Sequence, residues 1–411
     1  MRLCPNGQRR RDAGQNRPVR SLSPGRSERI VWPPRKGDDE EMKIAVVTGA
    51  AGLVGTEAVR FFRERFDLVI GLDNGMRGAL FGEGGDVSGN VAEMSFIPNY
   101  RHHDVDIRDY SLVAQVLATY GTDVELIVHT AGQPSHDWAT ERTLDDFWIN
   151  AVGTLNMLEG ARRHCPDATF VVTSTNKVYG DKPNTLPLVE LDTRWDIHPD
   201  HPYHHSGIDE SMELDNTDRT FFGVSKLSAD LAAQEYGRHL GMKVGVFRCS
   251  NITGPRHAGV PLHGFLSHLV RTAVAGNEYT ILGHGGKQVR DNIDARDLVR
   301  MFWHYHLEPR PGAVYHAGGG RERSTSILEA IARCEQLTGR PMAVRYEPHA
   351  RFTDAKCWIT DTRKFRRHYP GWEPRHGLDD TLASMHAHWS SFAAAPASAA
   401  PTSTEIEQER V

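Results

Sequence analysis

The sequence predicts an α/β fold, a doubly wound parallel sheet followed by a smaller C-terminal lobe. Two observations carry this. Short apolar runs alternate with helix-length segments from residue 43 to residue 251, the pattern of βαβ units. Beyond about residue 252 the alternation breaks into mixed helices, short strands and loops. Right-handed crossovers between parallel strands then give the doubly wound topology.

The first strand is KIAVVTGA (43–50), an apolar run that ends in glycine turns. Residues 54–65 read as a helix, with Val54, Ala58, Phe61 and Phe62 on one face. LVIGLD (68–73) is the second strand, and the third is expected to end at Asp106 and Ile107 in D-V-D-I-R-D. Helical spacing returns at 111–118, where Leu112, Val113, Val116 and Leu117 mark the apolar face. ELIVHTAG (125–132), TFVVTSTN (169–176) and KVGVFRCSN (243–251) are further buried strands. Helices spanning Asn150 to Arg163 and Val224 to Leu240 separate them. The expected organisation is a nucleotide-binding domain over 42–251 and a substrate lobe over 252–390, from which a strand near 290–316 can return to the sheet.

Both ends read as disordered. Residues 1–41 are rich in Arg, Pro, Gly and Ser, and Met42 stands directly before the first strand. Residues 391–411 are of low complexity. Of 411 residues 39% are hydrophobic and 25% charged, with a net charge of −5. That balance suits a soluble enzyme and gives no basic field for nucleic acid. No apolar run is long enough to span a membrane. Cys4, Cys165, Cys249, Cys334 and Cys357 form no C-x-x-C pair, and there is no secretory signal, so the expected compartment is the cytoplasm. The four histidines of H-P-D-H-P-Y-H-H (198–205) lie in a proline-rich loop without metal-ligand spacing. No metal is expected.

Gly49, Gly52 and Gly55 in T-G-A-A-G-L-V-G follow the first strand and open a helix. That context makes the glycines a dinucleotide fingerprint. The first permits the tight turn, the second lets backbone reach a pyrophosphate, and the third lets the helix pack on the strand. The helix N-terminus at Leu53 and Val54 supplies N–H donors to the phosphates. Asp73 ends the second strand about 20 residues on, placed to accept from the adenosine ribose. A carboxylate there repels a 2′-phosphate, which favours NAD over NADP, although Arg77 stands close by in sequence. Asp106 and Ile107 suit the adenine amine and the wall of its ring.

Seven ordered motifs now resemble one group of proteins. They are Gly49 to Gly55, T-A-G (130–132), N-A-V-G-T (150–154), T-S-T-N-K-V-Y-G (173–180), the segment ending at Lys226, R-C-S-N-I-T-G-P (248–255) and R-D-N-I-D-A-R-D (290–297). Together they resemble the extended short-chain dehydrogenase/reductase superfamily and its NAD-dependent epimerase/dehydratase family, whose sheet is Rossmann-like. A-G-Q-P-S-H-D (131–137), T-S-T-N-K-V-Y-G-D (173–181) and G-K-Q-V-R-D (286–291) are most similar to its CDP-paratose 2-epimerase group. The resemblance implies a tightly held NAD, a nucleotide-diphosphate sugar as substrate and a homodimer. It also implies oxidation of a sugar carbinol and return of the hydride to the opposite face, with oxidoreduction or decarboxylation of the same nucleotide-sugar class as the alternative. It places Asn74, Thr130, Ala131, Gly132, Asn150, Thr173 and Lys226 on the cofactor. Gln133, Thr175, Asn176, Asn251 and Arg290 fall on the substrate, with Arg256 and Lys287 as further cations. For Arg290 the alternative is an ion pair with Asp291 or Asp294.

The superfamily's proton chemistry uses a Tyr, a Lys four residues later and a Ser or Thr. Here Thr175 and Lys226 stand in place, but the segment T-F-F-G-V-S-K puts Phe222 in the tyrosine slot. Phenylalanine carries no proton. Three readings follow. Tyr179, Tyr203, His204 or His205 serves instead, or Lys226 works with a water chain, or the protein binds dinucleotide without turnover. After Thr175, dehydratases of the family carry Asp-Glu; Asn176-Lys177 here disfavours elimination of water.

Overall fold

The computed structural model describes residues 42–260 and 263–394. The expected extension 1–41, with Cys4, and residues 395–411 of the expected tail lie outside the described residues. Residues 391–394 belong to the helix Leu378–Ala394, so the tail boundary expected at 391 moves.

Seven strands form one sheet: β1 (Ile44–Thr48), β2 (Leu68–Leu72), β3 (Tyr100–His103), β4 (Val124–His129), β5 (Thr169–Thr175), β6 (Val244–Cys249) and β7 (Ala313–Ala317). They are all parallel. In space they run β7-β6-β5-β4-β1-β2-β3, so chain direction reverses beside β1, the switch point where such sheets bind ligands. At the centre Val46 lies between Ile70 and Ile127. Every residue of β1 is buried, because a parallel strand is covered on both faces and therefore reads as a continuous apolar run.

Helices α1 (Leu53–Phe62) and α5 (Ala295–Leu307) pack together on one face. On the other, α3 (Gly153–His164) lies between α2 (Tyr110–Tyr120) and α4 (Phe221–Arg238). Phe62, Phe247, Phe302 and Tyr305 fill the core beneath the first pair. Some expected boundaries shift. The third strand ends at His103, before Asp106 and Ile107, because Asp109 caps α2 and the intervening residues form its lead-in turn. Leu112, expected on the apolar face of α2, is 40% exposed. Asn150 sits in a π-helical turn, Trp148–Val152, ahead of α3. Helix α4 begins at Phe221 rather than Val224, since the Thr220 hydroxyl accepts from the Gly223 N–H as its cap.

A second core gathers the helices Phe265–Ala275, Ile327–Thr338 and Leu378–Ala394. Beside it the strand Val289–Asp294 pairs with Asn251–Thr253, Ser324–Ser326 and Cys357–Trp358. The division expected at 251/252 is not a clean one. Val178, Tyr179, Ile197 and Ile208 pack with Val289, Trp358 and Ile359. Conversely β7, α5, Phe365 and Trp372 belong to the main core. Of the expected returning stretch, only β7 rejoins the main sheet. Among the described residues no helix is long and apolar enough to cross a membrane, and Cys165, Cys249, Cys334 and Cys357 are buried free thiols.

Candidate active site

A cavity of about 330 Å³ opens along the carboxyl ends of β1, β2, β4 and β5. Its floor at one end is the glycine turn. Gly49 has φ +66°, and a Cβ there would come within 2.7 Å of the Ala131 nitrogen. At Gly55 a Cβ would lie 2.0 Å from the Gly49 carbonyl oxygen, so only glycine lets α1 meet β1. Gly55 therefore packs and does not line the cavity, whereas Gly49, Gly52, Leu53 and Val54 do. Gly52 caps α1 without a side chain, which leaves first-turn N–H groups for a ligand.

Asp73 and Asn74 follow β2 on the same wall. The Asp73 carboxylate accepts from the Ala51 and Gly75 N–H groups at 3.0 and 2.9 Å, which aims it into the cavity mouth. Arg77 donates to the Ala258 carbonyl at 2.7 Å and covers the Phe81 ring; burial pushes its guanidinium pKa down to about 10. Asp106 and Ile107 close the far end, with Asp106 held by the Arg108 guanidinium.

At the other end Thr130, Ala131, Gly132, Gln133, Thr173, Thr175, Phe222, Lys226 and Asn251 converge. The Lys226 ammonium, 8% exposed, donates to the Thr173 carbonyl at 2.8 Å, and burial lowers its pKa. Thr175 Oγ1 accepts from the Lys177 N–H at 3.2 Å. The amide of Asn251 donates to Asn292 at 2.6 Å.

Three expected contacts do not line this cavity. Asn150 is fully buried, accepting from the Gln133 N–H and donating to Asp146 and Ser225. It holds the T-A-G-Q turn against α4 instead. Asn176 turns to Thr175. Arg290 donates to Asp354 at 2.5 Å and to the Ala355 carbonyl, not to Asp291 or Asp294. The four alternative proton acceptors are also elsewhere. Tyr179 is sealed between His316 and Arg248, Tyr203 bonds Ser211, and His204 bonds the Ile197 carbonyl with His205 edge-on to it. Arg256 lines the cavity but is paired with Glu57 and Glu93, and Lys287 pairs with Glu190.

The profile of the NAD dependent epimerase/dehydratase family matches residues 45–318. The chain belongs to that family. CDP-paratose 2-epimerase from Salmonella typhi is 28% identical over 84% of this chain and 98% of its own length. dTDP-glucose 4,6-dehydratase from Escherichia coli is 26% identical over 85% and 93%. Among solved structures, UDP-glucose 4-epimerase of Thermotoga maritima with UDP-glucose superposes with a TM-score of 0.69 at 23% identity, covering 85% of this chain and 99% of that one. These are nucleotide-sugar epimerases and dehydratases, and NAD is the family's cofactor. The cradle here fits it. The uncapped α1 terminus, the Cβ-free approach at Gly49 and the Asp73 carboxylate match pyrophosphate and ribose. When bound, NAD supplies a hydride acceptor; the chain supplies position and proton handling.

Sequence reasoning missed several members of this family site. His257, His263 and Gly264 line it from the loop after Asn251–Thr253. The histidines and glycines of R-H-A-G-V-P-L-H-G (256–264) were the available signal. Asp146, buried behind the lining and bonded by Gln133, Asn150 and Ser225, carried none, since Ser225 reaches it from 79 residues away.

Proposed function

We propose that the chain is an NAD-dependent nucleotide-sugar epimerase, oxidising a sugar carbinol and returning the hydride to the opposite face. One observation carries the reading. The cavity is continuous from the glycine turn, past Lys226 and Thr175, to Ser250, Asn251 and His263, so a second ligand has room beyond the nicotinamide end. Thr175 holds the reacting oxygen and Lys226 the nicotinamide ribose. Gln133 and Asn251 take sugar or phosphate oxygens. Free thiols and the lack of a described spanning helix accord with the cytoplasm. Mass spectrometry of ligands released from the purified protein tests the reading. NAD together with a nucleotide-diphosphate sugar supports it; NAD with neither a sugar nucleotide nor turnover of one counts against it.

Phe222 favours a second reading, a dinucleotide binder without turnover. Phe222→Tyr separates the two. An epimerase with another proton acceptor changes rate by less than about tenfold, because the proton already has a path. Turnover that begins only in the variant establishes the silent protein.

A homodimer belongs to the same proposal. Leu144, Phe147, Trp148 and Leu155 are exposed, as are Phe221, Val224 and Leu231 of α4. Helices α3 and α4 pack side by side, and apolar patches of this kind mark contact surfaces. Sedimentation at micromolar concentration is expected to give twice the chain mass; a monomer there ends this part.

A further inference from the structure

The turn after T-A-G-Q brings a histidine to the phenylalanine that stands where relatives carry a proton. The His136 ring meets the Phe222 ring edge-on, with centroids 4.9 Å apart. His136 opens a short helix capped by Ser135. Ser135 and Gln133 bond each other, and Gln133 lines the cavity, so the turn is fixed. The His136 Nδ1 lies 2.9 Å from the hydroxyl of Thr220, the residue that caps α4. Among the described residues Nε2 has no hydrogen-bond partner. The ring is oriented through Nδ1, which leaves Nε2, on a ring packed against the cavity-lining Phe222, as the nitrogen to take a proton.

From this juxtaposition we infer that His136 takes the proton that a phenol would take at position 222. The inference rests on the epimerase reading. As the carbinol O–H bond breaks, its proton passes to Nε2, and Thr220 Oγ1 accepts from the Nδ1–H of the resulting imidazolium. NAD, which the glycine turn and Asp73 would hold, would supply the two-electron acceptor that balances oxidation of the carbinol to a ketone, and His136 handles only the proton. On return, Nε2–H gives the proton back to the same oxygen. Position 222 can then be apolar, because its ring packs the base.

The surroundings make this base ligand-dependent. Burial, and then Lys177, Arg351 and Arg290, push the His136 pKa down to about 3, with Asp354 opposing them. His263 faces the same group from the loop after Val260 and is itself held neutral by burial. A diphosphate near those cations cancels part of their field and raises the basicity of His136.

Nitrogen NMR of the histidine-labelled full chain, with the His136 signal assigned by its loss in His136→Gln, gives a readout apart from turnover. Adding CDP, dTDP or UDP is expected to raise the His136 titration midpoint; an unchanged midpoint with all three overturns the inference. Turnover is then followed on CDP-, dTDP- and UDP-glucose. His136→Gln is expected to lower kcat by about 10²-fold or more with KM within about threefold. Adding Phe222→Tyr to that variant is expected to recover most of the loss. An unchanged kcat, a loss confined to KM, or no recovery overturns the inference. Wild-type protein silent on all three sugars sinks the epimerase reading and this base with it. An active wild type indifferent to His136→Gln removes only the base.

Discussion

Replacing Lys226 with methionine is expected to lower turnover by about 10²–10⁴-fold while the protein keeps its NAD. The ammonium lies in a dry pocket against the Thr173 carbonyl, 2.8 Å away, at the end of β5. A Cβ on Gly132 would come 3.7 Å from it, so it sits against the T-A-G turn, where we propose that the nicotinamide ribose lies. Burial lowers its pKa, and its positive charge favours proton loss from the carbinol beside it. NAD retention follows from the opposite end of the cavity, where the glycine turn, the α1 terminus and Asp73 are untouched. Kinetics on the sugar found by mass spectrometry, with NAD content measured on the same sample, checks both halves. Full activity in the variant, or an NAD-free protein, contradicts the assignment.

Asp230→Ala is expected to destabilise the fold by about 3–5 kcal/mol, the usual cost of stranding a buried charge. Asp230 is fully buried and pairs with Arg248, which is 5% exposed, through bonds of 2.9 Å. Ser174 and Gln234 also donate to it, each at 2.6 Å. Removing the carboxylate leaves the guanidinium inside with only Tyr179, among the described residues, as a hydrogen-bonded partner. Ser174 precedes Thr175, so the same change loosens the strand end that carries Thr175. Urea unfolding of wild type and variant measures the difference. A loss under about 1 kcal/mol places the pair among those that water still screens.

The sheet was legible because its strands are covered on both faces. Runs such as Ile44–Thr48 then have no polar alternation to confuse them with surface strands. The glycine turn was legible because close backbone approach leaves only one residue type possible. Less could be read where a side chain's partner is far away in the chain. Arg290 looked available for a phosphate, yet Asp354 holds it from another strand connection. Asn150 looked like a cofactor contact, yet its amide closes a buried network with Asp146 and Ser225. Leu112 fits the helical period, but the buried stripe of α2 runs through Val113, Val116, Leu117 and Tyr120 and leaves it at the edge. His136 carried no signal at all, since its meaning depends on Phe222 across a packed interface.

The position of β7 bears on how the chain is made. Strand β7 covers the outer edge of β6, which comes off the ribosome well before it. Until Ala313–Ala317 has emerged, a row of backbone donors and acceptors on Val244–Cys249 faces solvent with no partner. Such an edge is a template for pairing with another nascent chain. Pausing or truncation between these strands therefore leaves a product that already holds the glycine turn and Asp73 and is prone to aggregate.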